Sequence, residues 1–393
     1  MKRAQKIAFV SPRFAAEGTV GGAETLLRRL AERAAADGRE VVFLTTCARN
    51  HFTWDNDLPP GRRPCGSLAV EYFPVDAHRD VDAFLQAQTA ISRGRPVSPE
   101  TEETWINNSV NSQPLCNFLI QHGDEFDALI MGPYLFGLVY HAALIHPEKT
   151  FLVPCLHDES FAYLALMRNL FNTVRGCLFN TPPEADLARR LFDYPDSKCA
   201  VVGMGLEPFT VDPQDFIRRH HLNDPYVLYS GRREGGKGTP LLCDYIDTFR
   251  RRTSRPLKLV FTGSGPIEAP PDLYPHILDL GFVSEAEKHA AMAGAAVFCH
   301  PSINESLSIV LLESWLAGTP ALVHARSPVL QWQCRQSGGG LWFRTYPEFE
   351  EELALLIDQP ELRKTLGQAG KAYVQSAYAW PAVAQRLFAA LDA

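Results

Sequence analysis

The chain has 393 residues, 46% of them hydrophobic and 21% charged, with a formal net charge of −7. That length suits two or three domains with sizeable cores, and the negative balance argues against nucleic-acid binding. No stretch approaches the ~20 consecutive apolar residues of a membrane helix. The opening MKRAQKIAFVS reads as the start of a first strand rather than a signal peptide, so the expected compartment is cytoplasmic. The cysteine count, nine, is odd, none falls in a CxxC spacing, and many sit in apolar runs. Buried reduced thiols are expected, without zinc or a disulfide framework.

Strands alternate with helices from the start. Apolar runs at 6–11, 40–46, 69–75, 127–132, 150–156 and 176–181 suit parallel strands buried on both faces. Between the first two, Leu26, Leu27, Leu30 and Ala34 share a helical face that stops at Gly38, which completes a βαβ unit. The stretches 50–66 and 92–114 read as polar loops or insertions. The texture changes over 199–225, which carries three prolines and no clear period, and this segment reads as a domain linker. A second alternating set follows at 226–231, 257–263, 277–283, 296–300 and 320–325. The expected architecture is α/β with two Rossmann-like domains, over 1–206 and 207–376. The last stretch, about 377–393, reads as a helix that starts near Trp380–Pro381.

Four constellations carry candidate chemistry. In SPRFAAEGTVGGAE, Gly21 and Gly22 precede a helix and permit close approach to a phosphate or sugar. In PCLHDES, His157 stands at a strand end, and its neighbours Asp158 and Glu159 point apart, which is poor geometry for a metal. In YSGRREGGKGTPLL, Arg232 and Lys237 sit in a glycine-rich turn and can neutralise a pyrophosphate; the spacing does not fit a Walker loop. In PSINESLSIVLLESWLAGTP, Glu305 lies at a loop–helix junction, with the helix expected near Ser306 and Glu313 eight positions on. Such a helix start attracts anions. Gly263, in a Gly-Ser-Gly-Pro turn, either lines a nucleotide pocket or simply turns the chain. Asp55 and Asp57 imitate a metal-binding D-x-D motif but lie in a polar segment read as a solvated loop. No GxGxxG fingerprint for a nicotinamide cofactor is present.

Together, Glu305-x7-Glu313, Arg232 with Lys237, Gly21–Gly22 and the GFVS turn at 281–284 resemble retaining glycosyltransferases of family 4, which have the GT-B fold. The resemblance covers nearly the whole chain, more specifically in its C-terminal half. It implies two Rossmann-like domains facing a central cleft, with a C-terminal helix (YAWPAVAQRLF) crossing back to the first. It also implies that Arg232 and Lys237 bind the donor diphosphate, Glu305 the transferred sugar and Glu313 the ribose. Backbone near Val283 would contact the base, His157 would lie near the reacting sugar, and Gly21–Gly22 near the donor phosphate or the acceptor. Glu305-Ser306-Leu307-Ser308 stands where the family often has E-G-F-G; backbone N–H groups for phosphate survive the change.

The expected function is transfer of a hexosyl unit from a nucleotide diphosphate sugar to a small-molecule, saccharide or lipid-linked acceptor, with retention and without a metal or other cofactor. At most peripheral membrane contact is expected. A nucleotide-sugar epimerase of the same fold and a catalytically silent sugar-binding or scaffold subunit are the alternatives.

Overall fold

The computed structural model describes residues 5–14, 21–233 and 235–393. The middle of the first βα turn, residues 15–20, lies outside the described residues. The chain divides into two compact units, residues 1–205 with 380–393, and 206–379.

The first unit holds an eight-stranded sheet. Its strands are β1 (Lys6–Val10), β2 (Glu40–Thr46), β3 (Gly61–Cys65), β4 (Leu68–Phe73), β5 (Ala128–Met131), β6 (Thr150–Leu152), β7 (Gly176–Phe179) and β8 (Cys199–Val201). Their order is β3-β4-β2-β1-β5-β6-β7-β8, all parallel except β3 against β4. The fully buried runs of β5, β7 and the Ile7–Val10 part of β1 show why these segments are apolar throughout. The first helix, Gly22–Ala36, buries the predicted Leu26, Leu27, Leu30 and Ala34.

Three expectations for this unit need correction. Residues 61–65, read as loop, form edge strand β3. Its Pro64 and paired arginines obscure the strand signal, and both are characteristic of an exposed edge. Residues 92–114 contain the helix Pro99–Asn107, which the Ser98 side chain caps by accepting from Thr101 N. The apolar run 150–156 leaves the sheet after Leu152, because Pro154 has no N–H to pair and Cys155 takes φ +53°.

The helix Trp380–Leu391 packs into this first unit. Arg39, almost fully buried, donates from both terminal nitrogens to the two Asp392 oxygens at 2.8 Å each, and its guanidinium lies 4.3 Å from the Phe388 ring centroid. Arg386 adds hydrogen bonds to the Val202 carbonyl.

The second unit holds a six-stranded parallel sheet of order β11-β10-β9-β12-β13-β14. The strands are β9 (Tyr226–Ser230), β10 (Lys258–Thr262), β11 (Ile277–Asp279), β12 (Val297–His300), β13 (Ala321–His324) and β14 (Gly340–Phe343). The segment expected to be a pure linker instead holds β8 and the helix Gln214–Arg219. The last strand, β14, was hidden in the sequence by a run of three glycines. One of them, Gly339, accepts the Trp315 indole N–H at 2.8 Å. Among the described residues, no helix is long and apolar enough to cross a membrane.

Replacing Arg39 by Ala removes a two-pronged, charge-assisted contact, and a stability loss of about 2 kcal/mol is expected. Lys in its place restores little of this, because an ammonium cannot grip both carboxylate oxygens. Urea unfolding of the three proteins measures the effect. A loss under ~0.5 kcal/mol, the level of an ordinary surface substitution, would deny Arg39 the anchoring role.

Candidate active site

In the second unit the strand order reverses beside β9. The chain runs outward from β9 through β10 to β11, then returns to place β12 on the other flank of β9. The loops after β9 and β12 therefore leave the sheet side by side at its C-terminal edge, where open α/β sheets hold ligands. Gly238, at φ +71°, brings the two loops together. A Cβ there would stand 2.7 Å from the Pro301 carbonyl oxygen, so any side chain would force them apart.

Lys237 and Glu305, from these two loops, meet directly. The ammonium donates to Glu305 Oε1 at 2.7 Å, with the Glu305 side chain 10% exposed and Lys237 half-buried. His300, the last residue of β12, places Nε2 3.5 Å from the same oxygen. Burial pushes the His300 pKa down to about 4, against a smaller upward pull from Glu305, so the ring is neutral at neutral pH. His300 Nδ1 and the buried Ser308 hydroxyl find no hydrogen-bond partner among the described residues.

The helix after β12 begins at Ile309 rather than near Ser306. Ser308 is its N-cap in the left-handed conformation at φ +65°, and its side chain does not cap. The buried Gln333 amide donates to the Leu307 carbonyl, and Ser306 and Leu307 are also buried, so tertiary contacts hold 306–308 out of the helix. Glu305 and Glu313 are thus not on one helix. Glu313 lies inside it, with both carboxylate oxygens within 3.0 Å of the Lys288 ammonium. Lys288 also contacts Glu285 at 2.9 Å. Burial alone would lower the Lys288 pKa, but the two carboxylates outweigh it and raise it. Among the described residues, Glu285, His289 and Glu313 are the one trio whose ligand atoms could converge on a metal, all within 4.8 Å of one another. The Lys288 ammonium already bridges its two carboxylates.

The remaining predicted donor residues cluster less tightly. Gly263 donates its N–H to the Gly281 carbonyl at 2.7 Å, and a Cβ on it would meet the Gly231 carbonyl. Its small size therefore serves the packing of adjacent loops. Val283 is half-buried between the exposed Phe282 and Ser284, whose hydroxyl caps the next helix. The Arg232 side chain is exposed. Its neighbour Arg233, not singled out from the sequence, is the buried one: it donates to the Gly265 carbonyl at 2.8 Å and to Asp279 at 3.1 Å, tying the loops after β9 and β10 to the end of β11.

His157, Gly21 and Gly22 belong to the first unit. Gly21 is the N-cap of the first helix and accepts from Thr25. Beside it the buried pair Arg13–Glu24 spans the first βα turn. His157 Nδ1 lies 3.7 Å from Glu159 Oε1, which also accepts the Tyr134 hydroxyl at 3.0 Å. Underneath, Glu184 is 1% exposed and accepts the N–H groups of Leu156 and Asn180, at 2.6 Å each. Burial pushes its pKa up to about 7. Glu184 thereby fixes the start of the His157 loop. The sequence carries a signal for it in Thr181-Pro-Pro-Glu184, a capping-box spacing. Asp55 and Asp57 are both exposed.

Residues 211–373 match the family model described as Glycosyl transferases group 1. The match lies wholly within the second unit. D-inositol 3-phosphate glycosyltransferase of Corynebacterium glutamicum (strain R) is 28% identical over 181 residues, 42% of this chain and 43% of that protein. The matched stretches span about half the length of such curated relatives, 43% and 54%. Among solved structures, sucrose-phosphate synthase from Thermosynechococcus elongatus superposes with TM-score 0.72 at 17% identity, covering 98% of this chain and 97% of that one. Anabaena HepE, in complex with UDP and glucose, gives 0.69 at 14% identity, covering 99% of each. These likenesses establish the two-domain GT-B fold.

The neutral His300 ring has a defined pH signature. Its folded pKa, about 4, lies below the ordinary histidine value of 6.5, so the unfolded chain binds the extra proton between those values. The stability it confers is complete above pH ~6.5 and falls as pH drops toward ~4, by on the order of 3 kcal/mol. Urea titrations of the wild type and His300→Gln at pH 7, 5.5 and 4.5 isolate this part as the difference between the two profiles. Parallel profiles would show that His300 is not buried neutral.

Proposed function

We propose that this chain is a retaining glycosyltransferase of family 4 that moves a hexosyl unit from a nucleotide diphosphate sugar to an acceptor. The observation that carries the reading is the Lys237–Glu305 pair, backed by His300, at the topological switch of the unit that matches the group 1 glycosyl transferase model. As the glycosidic C–O bond to the diphosphate breaks, negative charge grows on the leaving oxygens. An ammonium has three donors, so Lys237 can hold Glu305 and still present hydrogen bonds to phosphate. Glu305 keeps lone pairs for a sugar hydroxyl, and its pairing fixes where Lys237 points. The unpaired N–H groups at the start of helix Ile309–Leu316 and the exposed Arg232 supply further positive potential.

Glu313, held by Lys288, has acceptor capacity left for ribose hydroxyls, and Val283 offers backbone beside the exposed Phe282 for a base. Because HepE is seen with UDP and glucose, UDP-glucose is the first donor to test, with GDP- and ADP-sugars beside it. Lys237, Arg232 and the start of helix Ile309–Leu316 are proposed to receive the diphosphate without a metal, and the enzyme is proposed to work in the cytoplasm. His157, on the first unit, is proposed to face the reacting sugar.

A preorganised donor aimed at developing charge is worth a rate factor of about 10²–10³. Lys237→Ala is expected to cut turnover by at least tenfold while circular dichroism remains native, and turnover is expected to persist in EDTA. Full turnover in the variant would remove Lys237 from the chemistry; abolition by EDTA would replace the metal-free reading. The correct nucleotide sugar, at 100 times its dissociation constant, should add about 2.7 kcal/mol to stability, visible as a thermal shift.

A further inference from the structure

The loop that carries His157 borders a cavity of about 730 Å³ within the first unit. Small-molecule sites commonly enclose about 300–1,000 Å³. Ile91, Val97 and Leu164 supply apolar wall, and Arg95, Glu159 and Arg168 line it as polar groups.

The acids around this cavity are already engaged. Glu102 accepts the N–H groups of Ala165 and Leu166 at 3.2 and 3.0 Å, capping the helix that starts there. Asp158 takes the Arg190 guanidinium at 2.6 Å and the Tyr163 hydroxyl at 2.8 Å. Glu159 takes the Tyr134 hydroxyl. The arginines facing the space are less committed. Arg95 is exposed and makes no hydrogen bond or ion pair among the described residues. Arg168 bonds the Leu191 carbonyl, and its ion pair is to an Asp193 side chain that is 92% exposed, at 3.3 Å. Exposed pairs of that kind hold little energy and yield to a better partner. The lining groups with donors left to offer a ligand are therefore guanidinium, whose fork fits phosphate oxygens.

We propose that this cavity is the acceptor subsite and takes a polyol that carries a phosphate, with Arg95 and Arg168 gripping the phosphate. The assignment rests on the glycosyl-transfer reading above. Glu159 keeps lone pairs for a polyol hydroxyl. Its Oε1 lies 3.7 Å from His157 Nδ1, so the polyol end of the ligand sits beside the histidine proposed to face the reacting sugar.

The test uses the full chain and isothermal titration. Probes are D-glucose 6-phosphate and myo-inositol 1-phosphate against glucose and myo-inositol, with sedimentation of phosphatidylinositol vesicles in phosphatidylcholine as the lipid arm. A phosphorylated probe, free or as a headgroup, is expected to bind at least tenfold more tightly than its plain polyol. Arg95→Ala is expected to remove that advantage while UDP binding stays at the wild-type value, and Arg168→Ala to do the same if it folds. Equal binding of phosphorylated and plain polyols, or an unchanged phosphate preference in Arg95→Ala, overturns the proposal. Absence of any nucleotide binding would instead sink the donor reading, and the phosphate titrations would still decide this site.

Discussion

The contact between the loops after β9 and β12 is the constraint on which the proposed donor site depends. Strand β12 returns to the flank of β9, and the missing side chain at Gly238 lets the Pro301 carbonyl approach. Only then can Lys237 reach Glu305. A mostly buried ion pair contributes little net stability, because desolvation consumes much of the Coulomb gain. Its effect is directional. Glu305 is 10% exposed and has His300 on its other side, so the ammonium is held in one place before any ligand arrives.

The same logic recurs eight residues along. Glu313 is buried in a short helix whose position is set by Trp315, fully buried and hydrogen-bonded to the Gly339 carbonyl at the start of β14. Lys288 then bridges Glu313 and Glu285. Both carboxylates of the Glu-x7-Glu pattern thus carry a lysine partner from another loop or helix. The spacing in sequence matters less as a helical repeat than as two separate carboxylate–ammonium pairs, because Ser308, in its left-handed conformation, keeps residues 305–308 out of the helix.

Much of this was legible in the sequence. Solid apolar runs gave eleven of the strands, since a strand buried on both faces leaves no polar alternation to misread. The edge strand β3 escaped because Pro64 and two arginines look like loop, and β14 because its glycines look like turn. The candidate residues Lys237 and Glu305 were picked from separate motifs; that they touch is a product of strand order, which a local pattern does not encode. Lys288, Arg233 and Glu184 were missed for the same reason. Each is an ordinary charged residue in a helix or loop until a distant segment folds against it. Glu184 shows this well: its partners at 156 and 180 are backbone N–H groups in the segments that follow different strands, β6 and β7.

Charge counting sharpens the donor-site reading. At neutral pH His300 is uncharged, and Lys237 and Glu305 cancel. The resting pair is therefore close to neutral, which avoids an unbalanced buried cation when no ligand is bound. The proposed diphosphate would add negative charge that this pair alone does not match, and the start of helix Ile309–Leu316 contributes a partial positive charge from outside it. The two cations of the glycine-rich loop differ in setting: Lys237 is preset in direction by Glu305, whereas the Arg232 side chain is exposed.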